Sequence, residues 1–195
     1  MPVVRSARYK EFLTFLRENA PEKTVSHCIF TAEYLSSFAE KLELDHDDAI
    51  AAGLLHDLCR HVRDGELLSC ARAQGVPIGT AQCEVPMLLH GPVAAHRVRN
   101  ELGLESEDVF EAIYWHTTGR PKLGTLGAAL YVADFAEPTR RFPQAAEARE
   151  LLRKDGFQAA LHYVARCRRE YLVGKEVVDP TGEAYFLWLE KERGT

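Results

Sequence analysis

A histidine followed by an aspartate, His56-Asp57, lies in the otherwise apolar stretch GLLHDLCRH at residues 53–61. Four further apolar segments each carry one such polar residue, namely His27, His90 in LLHGP, His116 in YWHTTG and Asp134 in LYVADFAEP. Burying a polar group is costly unless it finds a partner. The His-Asp pair is therefore either a buried structural hydrogen bond or part of a metal site.

Taken singly, each histidine has an ordinary explanation. A lone histidine on an apolar face is more often a hydrogen-bonded core residue than a metal ligand. His116 follows Val109 and Ile113 on one helical stripe, where a backbone carbonyl could satisfy it. Four unrelated buried polar residues would each need a partner, however, whereas one divalent metal would satisfy them all. Mixed imidazole and carboxylate ligands suit Zn, Fe, Mn or Ni and leave positions for water. The pattern favours an open, catalytic kind of site over a closed structural zinc.

The elements that must position these residues are helical in pattern. Residues 7–19 have helical spacing of apolar residues, and a long helix follows Pro21. Asp45 is typical of an N-cap for a helix over 46–59, and Ser106 of one for the helix that ends in WHTTG. Alternating strand patterns are almost absent, and residues 173–179 could be a short extended piece or a loop. The sequence predicts an all-α fold of roughly eight to ten helices, from an average helix length of about a dozen residues.

The bulk properties set further limits. The chain has 195 residues, a net charge of −5 and five cysteines with no CxxC pair. This charge argues against binding of a nucleic-acid polymer, and the cysteines are expected to be reduced and mostly buried. No signal peptide and no membrane-spanning run are recognisable. We expect a cytoplasmic protein that does not act at a membrane, and leave the oligomeric state open.

The order His27, His56-Asp57 and a distant Asp134 resembles the HD-domain phosphohydrolase superfamily, in which H…HD…D binds a divalent metal inside a helical bundle. Four longer segments resemble the YqeK family of HD proteins in order and spacing, over about residues 8–190; they are LLHDLCR, LLHGPVAA, AIYWHTTGRPKLG and LYVADFAEPTRRFP. The resemblance implies a single HD domain over residues 1–195. Its core would span about 20–140, and C-terminal helices over 144–192 would close the bundle.

The resemblance also implies roles for individual residues. The metal ligands would be His27, His56, Asp57 and Asp134, joined by His90 and His116 if a second metal is present. The catalytic residues would be Asp57, His90 and His116. The substrate-binding residues would be Arg60, His90, His116, Thr117, Asp134 and Arg140. Arg60 stands where the family commonly has lysine. It follows Asp57 by three positions, so we expect it to lie on nearly the same helical face.

The YqeK family is described as bacterial symmetrical diadenosine tetraphosphate (Ap4A) hydrolases. The expected reaction is therefore metal-dependent hydrolysis of Ap4A and related dinucleoside tetraphosphates to two nucleoside diphosphates by a metal-activated water. We expect one or two divalent ions, with iron before manganese, nickel, cobalt or zinc. Two alternatives stay open: another HD-type nucleotide phosphohydrolase (a nucleotidase or a deoxynucleotide triphosphohydrolase), and a non-catalytic module that binds metal and nucleotide.

Overall fold

A computed structural model describes residues 7–173 and 179–193 of the chain. The described residues form eleven α-helices and no strand, so the predicted all-α class is confirmed. The helices are α1 Ala7–Asn19, α2 Glu22–Ala39, α3 His46–Leu55, α4 Asp64–Ala73, α5 Thr80–Glu84, α6 His90–Leu102, α7 Glu107–Trp115, α8 Thr125–Ala136, α9 Pro143–Lys154, α10 Phe157–Val173 and α11 Pro180–Arg193. Residues 174–178 of the segment predicted to be extended or a loop lie outside the described residues.

The number of helices in the described residues exceeds the predicted range because one of them is very short. Helix α5 has five residues, well below the average length on which the prediction rested. It begins after Gly79 and ends before Pro86, which opens a 3-10 turn over Pro86–Leu89. Proline has no amide hydrogen to continue a helix and fits its first turn, so the chain breaks here twice within ten residues.

Helix α3 begins where the sequence predicts and ends earlier. The Asp45 side chain accepts a hydrogen bond from the Asp48 backbone N–H at 2.9 Å, which confirms the N-cap. The helix stops at Leu55 rather than at residue 59, and residues 56–61 form tight turns. The Leu58 amide bonds to the Leu55 carbonyl and the Arg60 amide to the Asp57 carbonyl. This three-residue spacing tightens the chain and removes Arg60 from the helical face on which it was predicted.

Two apolar clusters share helix α8. On one side α8 packs with α1, α2, α3, α6 and α7 through a large cluster that includes Phe12 and Leu35. On the other side it packs with α9, α10 and α11 through a second cluster that includes Val132 and Tyr185. A helix that is apolar all round is a buried helix, and α8 has this composition, TLGAALYVADFA. Asp134 on α8 is therefore placed deep in the molecule by its own helix.

The cysteines differ in burial. All five cysteines are free thiols. The prediction that they are mostly buried holds for Cys28 and Cys59 but is wrong for Cys83, which is exposed, and for Cys70 and Cys167, which are half-buried. No helix among the described residues is long and apolar enough to cross a lipid bilayer.

Candidate metal centre

The polar residues singled out in the sequence lie on five different segments. His27 lies within α2, the His56-Asp57 pair directly follows α3, and Asp134 lies near the end of α8. His90 is the first residue of α6, and His116 directly follows α7, which begins at the predicted N-cap Ser106. His56, Asp57, His90, His116 and Asp134 are buried, and only 15% of the His27 side chain is exposed.

These side chains converge on the Asp57 carboxylate. Asp57 Oδ1 is 3.0 Å from His90 Nε2 and 3.4 Å from His116 Nε2. Asp57 Oδ2 is 3.8 Å from the Nε2 atoms of both His27 and His56. The two oxygens of one carboxylate therefore face two different pairs of histidines.

Asp134 completes the half of the cluster that contains His27 and His56. Its Oδ1 is 3.0 Å from His27 Nε2 and 3.7 Å from His56 Nε2. We call the six side chains the His/Asp cluster; they are His27, His56, Asp57, His90, His116 and Asp134. All the predicted metal ligands lie within it.

The hydrogen bonds of the histidines fix which ring nitrogen faces the centre of the cluster. In three of the four rings, Nδ1 lies within hydrogen-bond distance of the backbone carbonyl three residues earlier. His56 Nδ1 is 2.9 Å from the Gly53 oxygen, and His90 and His116 repeat the arrangement with the carbonyls of residues 87 and 113. A carbonyl only accepts, so Nδ1 carries the hydrogen and Nε2 presents a lone pair.

Lone pairs that face each other across the cluster need a cation between them. His90 Nε2 is 2.9 Å from His116 Nε2, and both are near an Asp57 oxygen. The Thr117 hydroxyl, 3.1 Å from His116 Nε2, has one hydrogen and can donate to only one of these acceptors. His56 Nε2 is buried and has no hydrogen-bond partner among the described residues. The donor set therefore fits a divalent metal, which the His/Asp cluster could hold.

Two groups of three residues could each hold an ion, and they share Asp57. One group is His27, His56 and Asp57, and the other is Asp57, His90 and His116. Thiolates take part in neither group.

The electrostatics of the cluster favour bound positive charge. Burial alone would raise the pKa of Asp57, but the charge of His56 and the close contacts with His116 and His90 hold it well below its usual range. Burial opposes a charged imidazole, yet the Asp57 carboxylate raises the pKa of His56 well above its usual value. Burial lowers the pKa of His116 to about 4. Asp57 is therefore a carboxylate and His116 a neutral imidazole near pH 7.

Two arginines contact Asp134 from opposite sides. Arg140 Nη2 is 2.9 Å from Asp134 Oδ1. Arg168 on α10 bonds to Asp134 Oδ2 at 2.7 Å and lies over the Tyr131 ring. The sequence analysis missed Arg168 because α10 has an ordinary amphipathic pattern, in which one arginine among several carries no distinguishing signal.

Glu137 is the second residue that the sequence analysis missed. It is fully buried, and its Oε1 is 3.3 Å from His27 Nδ1. It lies three residues after Asp134 in the segment ADFAEP. A charged residue directly before a proline at a helix end is normally exposed, so its burial could not be anticipated.

The structure does not bring Arg60 into the cluster. Its side chain is exposed, and this side chain forms no hydrogen bond or ion pair with any residue in the described ranges. The early end of α3 is the physical reason, because the turns after Leu55 change the direction of residue 60 relative to Asp57. The prediction of a shared helical face is therefore wrong.

A cavity of about 640 Å³ opens beside the cluster. Its volume lies within the range of ordinary small-molecule sites, about 300–1,000 Å³. Its walls combine cluster residues, cations and aromatic rings, including Thr117, Asp134, Phe135, Arg140, Phe142 and Tyr171. A cavity of about 790 Å³ between α8, α10 and α11 is larger but is lined by no residue of the cluster.

Comparison with known proteins agrees with this site. The HD domain family matches residues 24–160. The chain belongs to the HD domain family, whose members are metal-dependent phosphohydrolases.

Several similar proteins have more specific names. The chain is 28% identical over 180 residues to a protein of Bacillus subtilis named symmetrical bis(5'-nucleosyl)-tetraphosphatase, covering 92% of this chain and 96% of that one. A protein of the same name from Halalkalibacterium halodurans is 31% identical, covering 73% of this chain and 76% of the relative. A solved Clostridium acetobutylicum structure, described as an HD superfamily hydrolase involved in NAD metabolism, superimposes with a TM-score of 0.88 at 25% identity. That match covers 94% of this chain and 97% of the other.

Proposed function

We propose that this protein hydrolyses Ap4A and related dinucleoside tetraphosphates symmetrically, so that one Ap4A and one water give two ADP. The observation that carries the proposal is the convergence of four histidine Nε2 atoms on one buried carboxylate, Asp57, beside a cavity with cationic and aromatic walls. The shared name of the relatives in Bacillus subtilis and Halalkalibacterium halodurans supports the same reaction.

The His/Asp cluster is proposed to hold two divalent ions that share Asp57. His27 and His56 would bind one ion through Nε2, with Asp134, and His90 and His116 would bind the other. We favour iron, with manganese, nickel, cobalt and zinc as alternatives for these nitrogen and oxygen ligands. When bound, such ions lower the pKa of a water ligand and neutralise charge on phosphoryl oxygens.

Individual residues would orient the attacking water, bind metal and contact the phosphates. Asp57, held ionised, would bind metal and orient the attacking water. His116 is neutral near pH 7 because its pKa is about 4, which favours a ligand role over that of a proton donor. Thr117 would contact the phosphate beside His116, and Arg140, with its side chain 38% exposed, would reach a phosphate from the cavity side.

The cavity beside the cluster suits a nucleoside. The side chains of Phe142 and Tyr171 are 38% and 66% exposed, and Phe142 meets the Phe135 ring edge-on. Aromatic faces of this kind stack with bases of any sequence. We propose that one nucleoside of the substrate lies here, with its phosphate chain directed past Arg140 to Asp57.

The C-terminal helices belong to the same proposed domain as the His/Asp cluster. We propose that residues 1–195 work as one HD domain, in which helices over 144–192 close the bundle. Arg168 on α10 supports a single domain because its ion pair with Asp134 joins a C-terminal helix to the His/Asp cluster. On this view the C-terminal helices complete the substrate cavity rather than form a separate unit.

The test is an analysis of products. Purified protein is stripped of metal, reconstituted with Fe²⁺ under anaerobic conditions or with Mn²⁺, and incubated with Ap4A before chromatography of the nucleotides. We expect two ADP per Ap4A consumed, and loss of turnover when EDTA is added. ATP plus AMP in equal amounts would contradict symmetrical cleavage.

The alternative functions are tested in the same assay. Parallel incubations contain a nucleoside monophosphate or a deoxynucleoside triphosphate in place of Ap4A. Turnover of either nucleotide without hydrolysis of Ap4A would show that the protein is a nucleotidase or a triphosphohydrolase instead. Binding of metal and Ap4A without turnover would indicate a non-catalytic module.

A further inference from the structure

Glu137 is a buried carboxylate that the reaction proposed above does not use. It is 0% exposed, and it directly follows the last residue of α8. Its nearest functional neighbour is His27, whose Nδ1 is 3.3 Å from Glu137 Oε1 across 110 residues of sequence. Arg140 Nε, 3.7 Å from the same oxygen, balances the charge of Glu137, so charge compensation alone does not account for the contact with His27.

His27 needs an acceptor that the other three histidines find in their own backbone. His56, His90 and His116 lie at helix ends or directly after them, and each contacts the carbonyl three residues earlier through Nδ1. His27 lies inside α2, where carbonyls already accept the hydrogen bonds of the helix. Among the described residues, Glu137 is the group that contacts its Nδ1.

The direction of the His27–Glu137 hydrogen bond follows from the chemistry of Glu137. A carboxylate only accepts hydrogen bonds, so His27 Nδ1 carries the hydrogen in this contact. In the neutral ring Nε2 then has a lone pair, and Arg140 Nη2 is 3.2 Å from it. Nδ1–H then donates to Glu137, and the Nε2 lone pair faces Asp134 Oδ1 at 3.0 Å.

Glu137 is itself held in place from three directions. The backbone N–H and the hydroxyl of Thr139 each donate to its carboxylate at 2.6 Å. Arg149 on α9 donates to the backbone carbonyls of Ala136 and Glu137 and so fixes the turn after α8. The carboxylate is thus part of a rigid turn rather than a mobile side chain.

We propose that Glu137 is a positioning residue, which accepts the Nδ1–H of His27 and so holds the His27 Nε2 lone pair toward Asp57 and Asp134 for metal binding. A carboxylate behind a metal-binding imidazole fixes the ring and makes it a stronger ligand. The inference rests on the metal site proposed above, but not on the identity of the substrate.

The experiment measures metal binding without any nucleotide. Zn²⁺ affinity is determined by competition with a chromophoric chelator for the wild type, Glu137→Met, Glu137→Gln and the control Glu105→Met. Loss of such a partner typically lowers metal affinity by about 10–100-fold, which we expect for Glu137→Met. Glu137→Gln keeps an acceptor but loses the charge, and we expect a smaller decrease. Glu105 is an exposed carboxylate outside the His/Asp cluster, so Glu105→Met should leave the Zn²⁺ affinity unchanged.

A spectroscopic signature separates positioning from simple structural support. In ¹⁵N-labelled, Zn²⁺-loaded wild type, the His27 Nδ1–H proton should give a resolved downfield signal, which disappears in Glu137→Met through exchange with water. A purely structural role would lower the melting temperature of the metal-free variants and leave Zn²⁺ affinity unchanged, which would overturn the proposal. If Glu137→Met does not fold, Glu137→Gln decides, and wild-type affinity in that variant would equally overturn it. Failure of Ap4A hydrolysis would not affect these readouts.

Discussion

Gly53 on α3 lies directly against Ala32 on α2, so closely that a Cβ at position 53 would be 2.5 Å from the Ala32 Cα atom. The two helices carry half of the His/Asp cluster. His27 lies five residues before Ala32, and His56 donates from Nδ1 to the carbonyl of Gly53 itself. The separation of α2 and α3 therefore sets the separation of His27 and His56.

The first prediction concerns this contact. Gly53→Ala should force α2 and α3 apart, because the atom it meets is backbone and cannot move aside. Overpacking of a core typically costs about 1–3 kcal/mol, and we expect that loss in the free energy of unfolding, together with weaker metal binding. Denaturant unfolding and chelator competition measure the two effects. In the control Gly65→Ala, the added Cβ meets nothing within 4 Å, and stability should be unchanged or slightly raised.

Removal of the shared carboxylate should abolish activity. Asp57→Asn takes one ligand from both groups that could hold an ion. We expect turnover of Ap4A to fall by more than about 100-fold, since the loss of even a residue behind a metal ligand lowers activity by about 10–100-fold. Bound metal measured by elemental analysis should decrease, while circular dichroism retains its helical signal. Exposed Asp47 provides the control, and Asp47→Asn should keep metal and turnover. Full activity of Asp57→Asn would refute the site.

Arg140 should act mainly on substrate binding. Its guanidinium contacts Asp134 and lines the cavity beside the cluster. A charge-assisted hydrogen bond contributes about 1.5–3 kcal/mol, so Arg140→Ala should raise KM for Ap4A by about tenfold or more, with a smaller change in kcat. Steady-state kinetics of Arg140→Ala and of its exposed neighbour Arg141→Ala give the comparison. Equal kinetic effects of the two substitutions would remove Arg140 from the site.

Arg168 should matter for stability. Its ion pair with Asp134 is largely buried, with side-chain exposures of 18% and 13%. Breaking a buried pair by removing one partner costs about 3–5 kcal/mol, and because Arg140 still contacts Asp134 we expect the lower end of this range. We expect Arg168→Met to lower the melting temperature of the metal-free protein by about 10 °C. Arg169→Met breaks a more exposed ion pair with Glu183 and should lower the melting temperature by much less. Similar melting temperatures for both variants would contradict this account.

The thiols should differ in reactivity according to burial. Cys83 is exposed, whereas Cys59 is 1% exposed and burial raises its pKa to about 11. The thiolate is the reactive form, so at pH 8 a maleimide should label Cys83 within minutes and leave Cys59 unmodified in the folded protein. Labelling of Cys59 should accelerate as the pH rises toward 11. Peptide mass spectrometry locates the label, and equal labelling at pH 8 would refute the burial of Cys59.

The element pattern and the inward direction of the cluster residues were both predictable from sequence. Helix α1 over residues 7–19 and the N-caps Asp45 and Ser106 depend on local spacing and on side chains within three or four residues. His116 could likewise be placed inside, because it continues the apolar stripe of α7. Such features are local, and local sequence carries the information that determines them.

The details of the site were decided by tertiary structure. Glu137 and His27 are 110 residues apart, and Arg168 and Asp134 are 34 apart. Neither contact leaves a periodic trace in the sequence. Arg60 was misplaced because α3 ends four residues earlier than predicted, and a few residues at a helix end change the direction of everything that follows.

The sequence by itself therefore determined an all-α chain with a buried set of histidines and aspartates, because burying those groups among apolar neighbours requires a common partner. Only the tertiary structure decided that the two oxygens of Asp57 face two pairs of imidazoles, with Nε2 inward in the three rings whose Nδ1 bonds a backbone carbonyl. Those features depend on which carbonyls and carboxylates lie behind each ring. That arrangement exists only after α2, α3, α6, α7 and α8 have packed together.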